Sequence, residues 1–110
     1  MADRKTVKIQ SGGNTVTIGK AELGFSPADT NMRNFQISCK DLGGGTFTVS
    51  YYPVSCSHLI EFQAAAPETA AVVASQSIDF LYDALVITFA NLGVGADPSV
   101  HATFWTRPTV

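Results

Sequence analysis

The chain is 110 residues long, 45% hydrophobic and only 15% charged, with a formal net charge of −2. That length suits one domain with a core of its own, and the shortage of charge leaves a surface of small, neutral and hydroxylated residues, the kind that packs against other proteins. Basic residues do not cluster beyond Arg4-Lys5, which argues against a nucleic-acid groove, and the longest apolar-rich run, Phe80–Leu92, is broken by Asp83, Thr88 and Asn91 and is too short for a membrane helix.

The opening MADRKTVKIQ has charge but no apolar stretch, so no signal peptide is expected and the protein is expected to be made in a cytoplasm. Thr6–Gln10 puts Val7 and Ile9 on one face, and Thr15–Gly19 does the same with Val16 and Ile18. The intervening Ser-Gly-Gly-Asn tolerates positive φ, so this region predicts a hairpin. Residues 20–33 have no clear period and read as a connection, with a turn of helix near Pro27–Thr30 as an option.

Asn34–Cys39 alternates again, with Phe35, Ile37 and Cys39 on one side. Thr46–Val54 follows the triple glycine Gly43–Gly45, with Phe47, Val49 and Tyr51 on one side, and Pro53 marks an edge or an end. His58–Gln63 is a further strand. Ala64–Gln76 is crowded with small residues, and a short helix starting near Pro67 competes there with a strand. In Ser77–Leu92 the β-branched and aromatic content of Leu85–Phe89 favours strand. A long turn then leads to a last strand over Val100–Pro108.

These elements predict an all-β fold: a compact sandwich or small jelly-roll-like barrel of about seven to nine short antiparallel strands with at most one short helix. Residues 1–110 read as one domain, with free ends over residues 1–5 and 108–110. No strand–helix alternation supports a doubly wound α/β fold.

Few residues carry chemical promise. Gly43–Gly45 invites comparison with a phosphate loop, but Thr46-Phe47 follows where a Lys-Ser/Thr and a helix are needed. The glycines therefore read as a hairpin loop, one that can lie flat against a partner's backbone. Cys39, Cys56, His58 and His101 include zinc-ligand types but not the usual close-spaced pairs, and alternation makes Cys39 a buried thiol. Cys56 and His58 sit on one side of a strand about 7 Å apart, too far for a nucleophile–base hydrogen bond. Glu61 with Asp79 or Asp83 is a conceivable carboxylate pair that nothing in the sequence brings together. Catalytic, metal and cofactor sites are thus all expected to be absent, and the two cysteines are expected to be free thiols.

Aromatic surface is the remaining candidate. Tyr51, Tyr52, Tyr82, Phe104 and Trp105 include adjacent pairs, and adjacent strand residues face opposite ways. Tyr52 and Trp105 are the strongest interface candidates, joined by Gly43, Gly44 and Gly45 and by the terminal cations Arg4 and Arg107.

As a whole the chain resembles the small accessory virion proteins of tailed bacteriophages, of the capsid decoration or cement type. The resemblance lies in composition and architecture: a β domain rich in Ala, Gly, Ser and Thr, lightly charged, without a catalytic or metal signature. It implies binding to the outside of an assembled capsid, with the major capsid protein as partner, as a homodimer or homotrimer and without nucleic acid or membrane. Residues 2–7 and 106–110 would then act as arms that order on a neighbour. A carbohydrate- or receptor-binding sandwich, a head–tail or tail component, and more remotely a small hydrolase or isomerase are the alternatives.

Overall fold

Strands with one apolar face need a second layer to cover it. In the computed structural model, which describes residues 4–10, 13–24, 34–55, 57–74 and 82–105, eight strands supply both layers. They are β1 (Arg4–Gln10), β2 (Thr15–Ile18), β3 (Asn34–Lys40), β4 (Thr46–Pro53), β5 (Ile60–Pro67), β6 (Val72–Ala74), β7 (Tyr82–Ala90) and β8 (Ser99–Trp105), with one short helix, α1 (Lys20–Leu23), after β2. The first sheet has the order β1-β8-β3-β6 and the second β2-β7-β4-β5. Every pairing is antiparallel. The pairs β1·β8, β2·β7, β3·β6 and β4·β5 are nested, as in one long hairpin rolled into two layers. That is the jelly-roll topology, and it bears out the all-β sandwich expected from alternation.

The core is built on the predicted faces. Phe35, Ile37, Phe47, Val49, Leu85, Ile87, Val100, Ala102 and Phe104 are fully buried. Phe35 is its aromatic centre, with ring centroids 5.4 Å from Phe62, 5.9 Å from Tyr82 and 6.3 Å from Phe104. Those rings come from both sheets, so they tie the layers together at edge-on and tilted angles. Tyr82, an aromatic-surface candidate on sequence, is fully buried, as is Phe104. A register shift in the β4–β7 ladder pairs Tyr52 with Ala84 and Pro53 with Tyr82, skipping Asp83. One extra residue reverses the side-chain alternation and turns Tyr82 inward.

Three local expectations are corrected, and the open choice between helix and strand in the alanine-rich stretch falls to strand. β1 and β2 form no hairpin, because they belong to different sheets. Nor do β3 and β4: residues 41–45 cross from the first sheet to the second. The alanine-rich stretch continues β5 to Pro67, turns through the Ala70 N–H to Pro67 carbonyl bond at 2.9 Å and enters β6, with no helix at Pro67. Pairing of Phe47 with Ala66 and Thr46 with Pro67 overrides the helical preference of alanine. The amino-terminal end, expected to be free through residue 5, enters the sheet at Arg4, opposite Trp105.

The one described helix, α1, is only four residues long and lies in the stretch read as a connection. The Gly19 N–H donates to Glu22 Oε1 at 2.6 Å and Leu23 is buried in the core. The helical turn considered near Pro27–Thr30 lies outside the described residues, as does the proposed arm 106–110.

Candidate functional site

The connections β3–β4, β5–β6 and β7–β8 meet at one end of the sandwich, together with the end of β1 at Gln10. The Gly93 N–H donates to the Leu42 carbonyl at 3.1 Å, and the Asp97 N–H to the Asp41 carbonyl at 3.0 Å. The Leu42 N–H donates to Glu68 Oε2 at 3.4 Å, and Gln10 Nε2 to Asp97 Oδ1 at 2.6 Å. This explains why Leu42 is fully buried. At a hairpin tip it would project into water; in a crossover between sheets it closes the end of the core.

The triple glycine is part of this end. Gly45 is buried, while Gly43 and Gly44 are exposed. A Cβ on Gly45 would lie 2.6 Å from the Ala90 carbonyl oxygen, and one on Gly43 would lie 2.8 Å from the Gly93 Cα. Two of the three glycines thus have an intramolecular reason to lack a side chain. Beside them an open hollow of about 500 Å³ is lined by Asp41, Gly43, Glu68, Val94, Gly95 and Asp97 among others. A second hollow of about 500 Å³ is lined by small residues of β5 and β6, from Gln63 to Pro67 and from Ala70 to Val73. Neither hollow includes His58 or His101.

The zinc-type residues are not assembled. Cys39 points into the core, whereas His101 stands on the opposite, outward face of the first sheet, since Cys39 pairs with Val100 and Ser38 with His101. His58 lies in the β4–β5 connection, and Cys56 is outside the described residues. No group of three or more metal-ligand side chains forms among the described residues. Burial pushes the free Cys39 thiol up to about 12, so it is a poor nucleophile.

The remaining sequence-predicted residues that the structure describes fall on two different surfaces. Arg4 and Trp105 occupy opposed register positions on β1 and β8, at one end of the first sheet. Tyr52 is on the second sheet, opposite Ala84 of β7. Arg107 lies outside the described residues. Tyr52 and Trp105 therefore sit on outer faces on opposite sides of the sandwich.

Those two outer faces differ in chemistry. On the second sheet, Thr15, Thr88 and Thr48 form one cross-strand row over β2, β7 and β4, at least partly exposed, and Thr17, Val86 and Ser50 form the next, of which Val86 and Ser50 are buried. No outward position of these three strands is acidic or basic; Asp83 is the residue skipped by the register shift. On the first sheet the outward rows are Lys8–His101–Ser38 and Gln10–Ser99–Lys40. His101 titrates below its ordinary range, first because it is partly desolvated and then because Lys8 and Lys40 are near, with Asp41 opposing them. None of these rows was legible in the sequence: alternation gives each side chain its face, but the partners across a ladder are up to 101 positions apart.

The sequence matches no protein-family model and no curated protein. No helix among the described residues is long and apolar enough to cross a membrane.

Proposed function

We propose that this protein is a non-enzymatic structural protein of a phage virion, which seats on the outside of the assembled capsid and cements neighbouring major capsid subunits. The observation that carries the reading is the neutral, hydroxyl-bearing row Thr15–Thr88–Thr48 on the outer face of β2, β7 and β4, which stays at least partly exposed while Val86 and Ser50 beside it are buried. Solvated sheet faces ordinarily carry charge, and charge is what interface centres lack. Threonine hydroxyls can donate and accept, so such a face can dry against a partner without stranding an ion. A stable contact needs roughly 1,200–2,000 Å² in total, which a small domain reaches by bridging two subunits. The jelly roll is common to capsid and lectin domains, so the fold is compatible with this role without assigning it.

A sugar-binding role is less well supported. Such a module would use Tyr and Trp side chains as stacking platforms, and Tyr52 and Trp105 stand on the outer faces of different sheets, where they cannot grip one glycan together.

The test is co-sedimentation with assembled shells of a major capsid protein encoded by the same genome. The wild-type chain is expected to sediment with the shells and to raise their resistance to heat. Thr88→Lys, which places one charge in the central row, is expected to abolish retention while leaving the folded chain intact by circular dichroism. A wild-type chain that stays in the supernatant overturns the proposal, as does a genome that encodes no capsid protein.

A further inference from the structure

The outer face of the first sheet is built differently from the neutral face just described. Its outward positions on β1, β8, β3 and β6 include Lys8 and Lys40 and no aspartate or glutamate among the described residues. Lys8 lies directly across from His101, and Lys40 directly across from Ser99. With strands about 4.8 Å apart and alternate residues about 7 Å apart, the two lysines flank one small area on a diagonal. Ser99 Oγ lies 3.4 Å from His101 Nε2 inside that area. Both lysines are exposed, and no ion pair among the described residues neutralises them. Of the acids at the rim, Asp97 accepts from Gln10 at 2.6 Å and Asp41 follows Lys40 on the loop side. Farther along the same face are Val73, 49% exposed, and the half-buried Trp105.

We infer that this face is a second docking surface, one that receives an acidic protein surface: carboxylates seat between Lys8 and Lys40 over His101, with Trp105 and Val73 as the apolar contact beside them. The argument is charge complementarity. The chain as a whole is at −2, yet around His101 on this face Lys8 and Lys40 together outweigh the opposing Asp41. A partner's carboxylate would relieve the Lys8–Lys40 repulsion and accept from both ammonium groups. A nucleic acid fits less well. Its phosphates come about every 1.7 Å along the duplex, and two lysines among serines and amides neutralise few of them. This surface is independent of the neutral face, so either can fail without the other.

Binding of a fluorescent oligo-glutamate peptide to the full chain, followed by anisotropy in low salt, tests the inference. The wild type is expected to bind, and Lys8→Glu with Lys40→Glu to weaken binding by at least about tenfold. Lys20→Glu on α1, away from the face, is expected to leave it unchanged. Lys8→Gln with Lys40→Gln repeats the test without reversing charge, in case the double glutamate fails to fold. On binding, the His101 ring signal in NMR is expected to titrate at higher pH, because the new neighbour is a carboxylate. No binding overturns the inference, and so does equal loss in the Lys20 variant or an unmoved His101. Tighter binding of a DNA duplex of equal charge at the same ionic strength overturns it too, and assigns the face to phosphate.

Discussion

A methyl group on Gly43 would come within 2.8 Å of the Gly93 Cα, and one on Gly93 would run into the Gly43 carbonyl oxygen. These two glycines are 50 positions apart in sequence, yet each occupies the space that the other's side chain would need. Gly45 has the same relationship with the Ala90 carbonyl, whereas a Cβ on Gly44 meets nothing within 4 Å. Alanine substitution should therefore separate the four. Gly44→Ala pays only the left-handed backbone penalty at φ +90°, about 1 kcal/mol. Gly43→Ala, Gly45→Ala and Gly93→Ala must push backbone apart and should cost more, about 1–3 kcal/mol beyond any φ penalty. Urea midpoints check the order; Gly44→Ala as the worst of the four would contradict it.

Leu42 sits within the same crossover and is fully buried. If it plugs the open end of the sandwich, Leu42→Ala should behave as a core truncation, with a loss of about 2–5 kcal/mol. Were residues 41–45 a solvent-facing hairpin tip, the same change would fall within about 0.5 kcal/mol. The unfolding free energy thus discriminates a crossover from a hairpin without a new structure.

That contrast marks how far the sequence could be read. Alternation placed Phe35, Ile37 and Cys39, then Phe47 and Val49, on buried faces, because one-sided burial imposes a period of two whatever the partner strand is. It could not tell a hairpin from a crossover. Ser-Gly-Gly-Asn and the triple glycine permit either, and the choice depends on β8 and β7 claiming β1 and β2 as neighbours. Tyr82 was unreadable for another reason: a single skipped residue at Asp83 reverses its face. The two outer faces were half legible. Low charge foretold a neutral surface, but its threonine row and the Lys8–His101 pair exist only once the register is set.

Burial also sets the pH behaviour of Cys39. Burial pushes its thiol up to about 12 in the fold, above the ordinary 9.0. The unfolded chain therefore loses this proton first, and between about pH 9 and 12 the folded state binds more protons than the unfolded one. Stability should be insensitive to this group below pH 9 and should fall as pH rises through that window. Cys39→Ala should flatten this part of the decline, as measured by urea unfolding across the range. In native protein at neutral pH, Cys39 should resist a thiol reagent and react only after unfolding; rapid native labelling at Cys39 would contradict its buried position.

His101 gives the opposite sign at the other end of the scale. Partial desolvation and then Lys8 and Lys40 hold its folded pKa below the ordinary 6.5, while Asp41 pulls it up. The unfolded chain thus takes up the proton first as pH falls below 6.5, so this group's contribution to stability declines as the pH drops through the interval between the unfolded and folded values. Removing either cation, as in Lys8→Ala or Lys40→Ala, should move the His101 midpoint upward, and Asp41→Asn should move it downward. Imidazole NMR signals follow the midpoint directly. If the lysine variants titrate like wild type, Lys8 and Lys40 do not flank His101 as the β1–β8–β3 register places them.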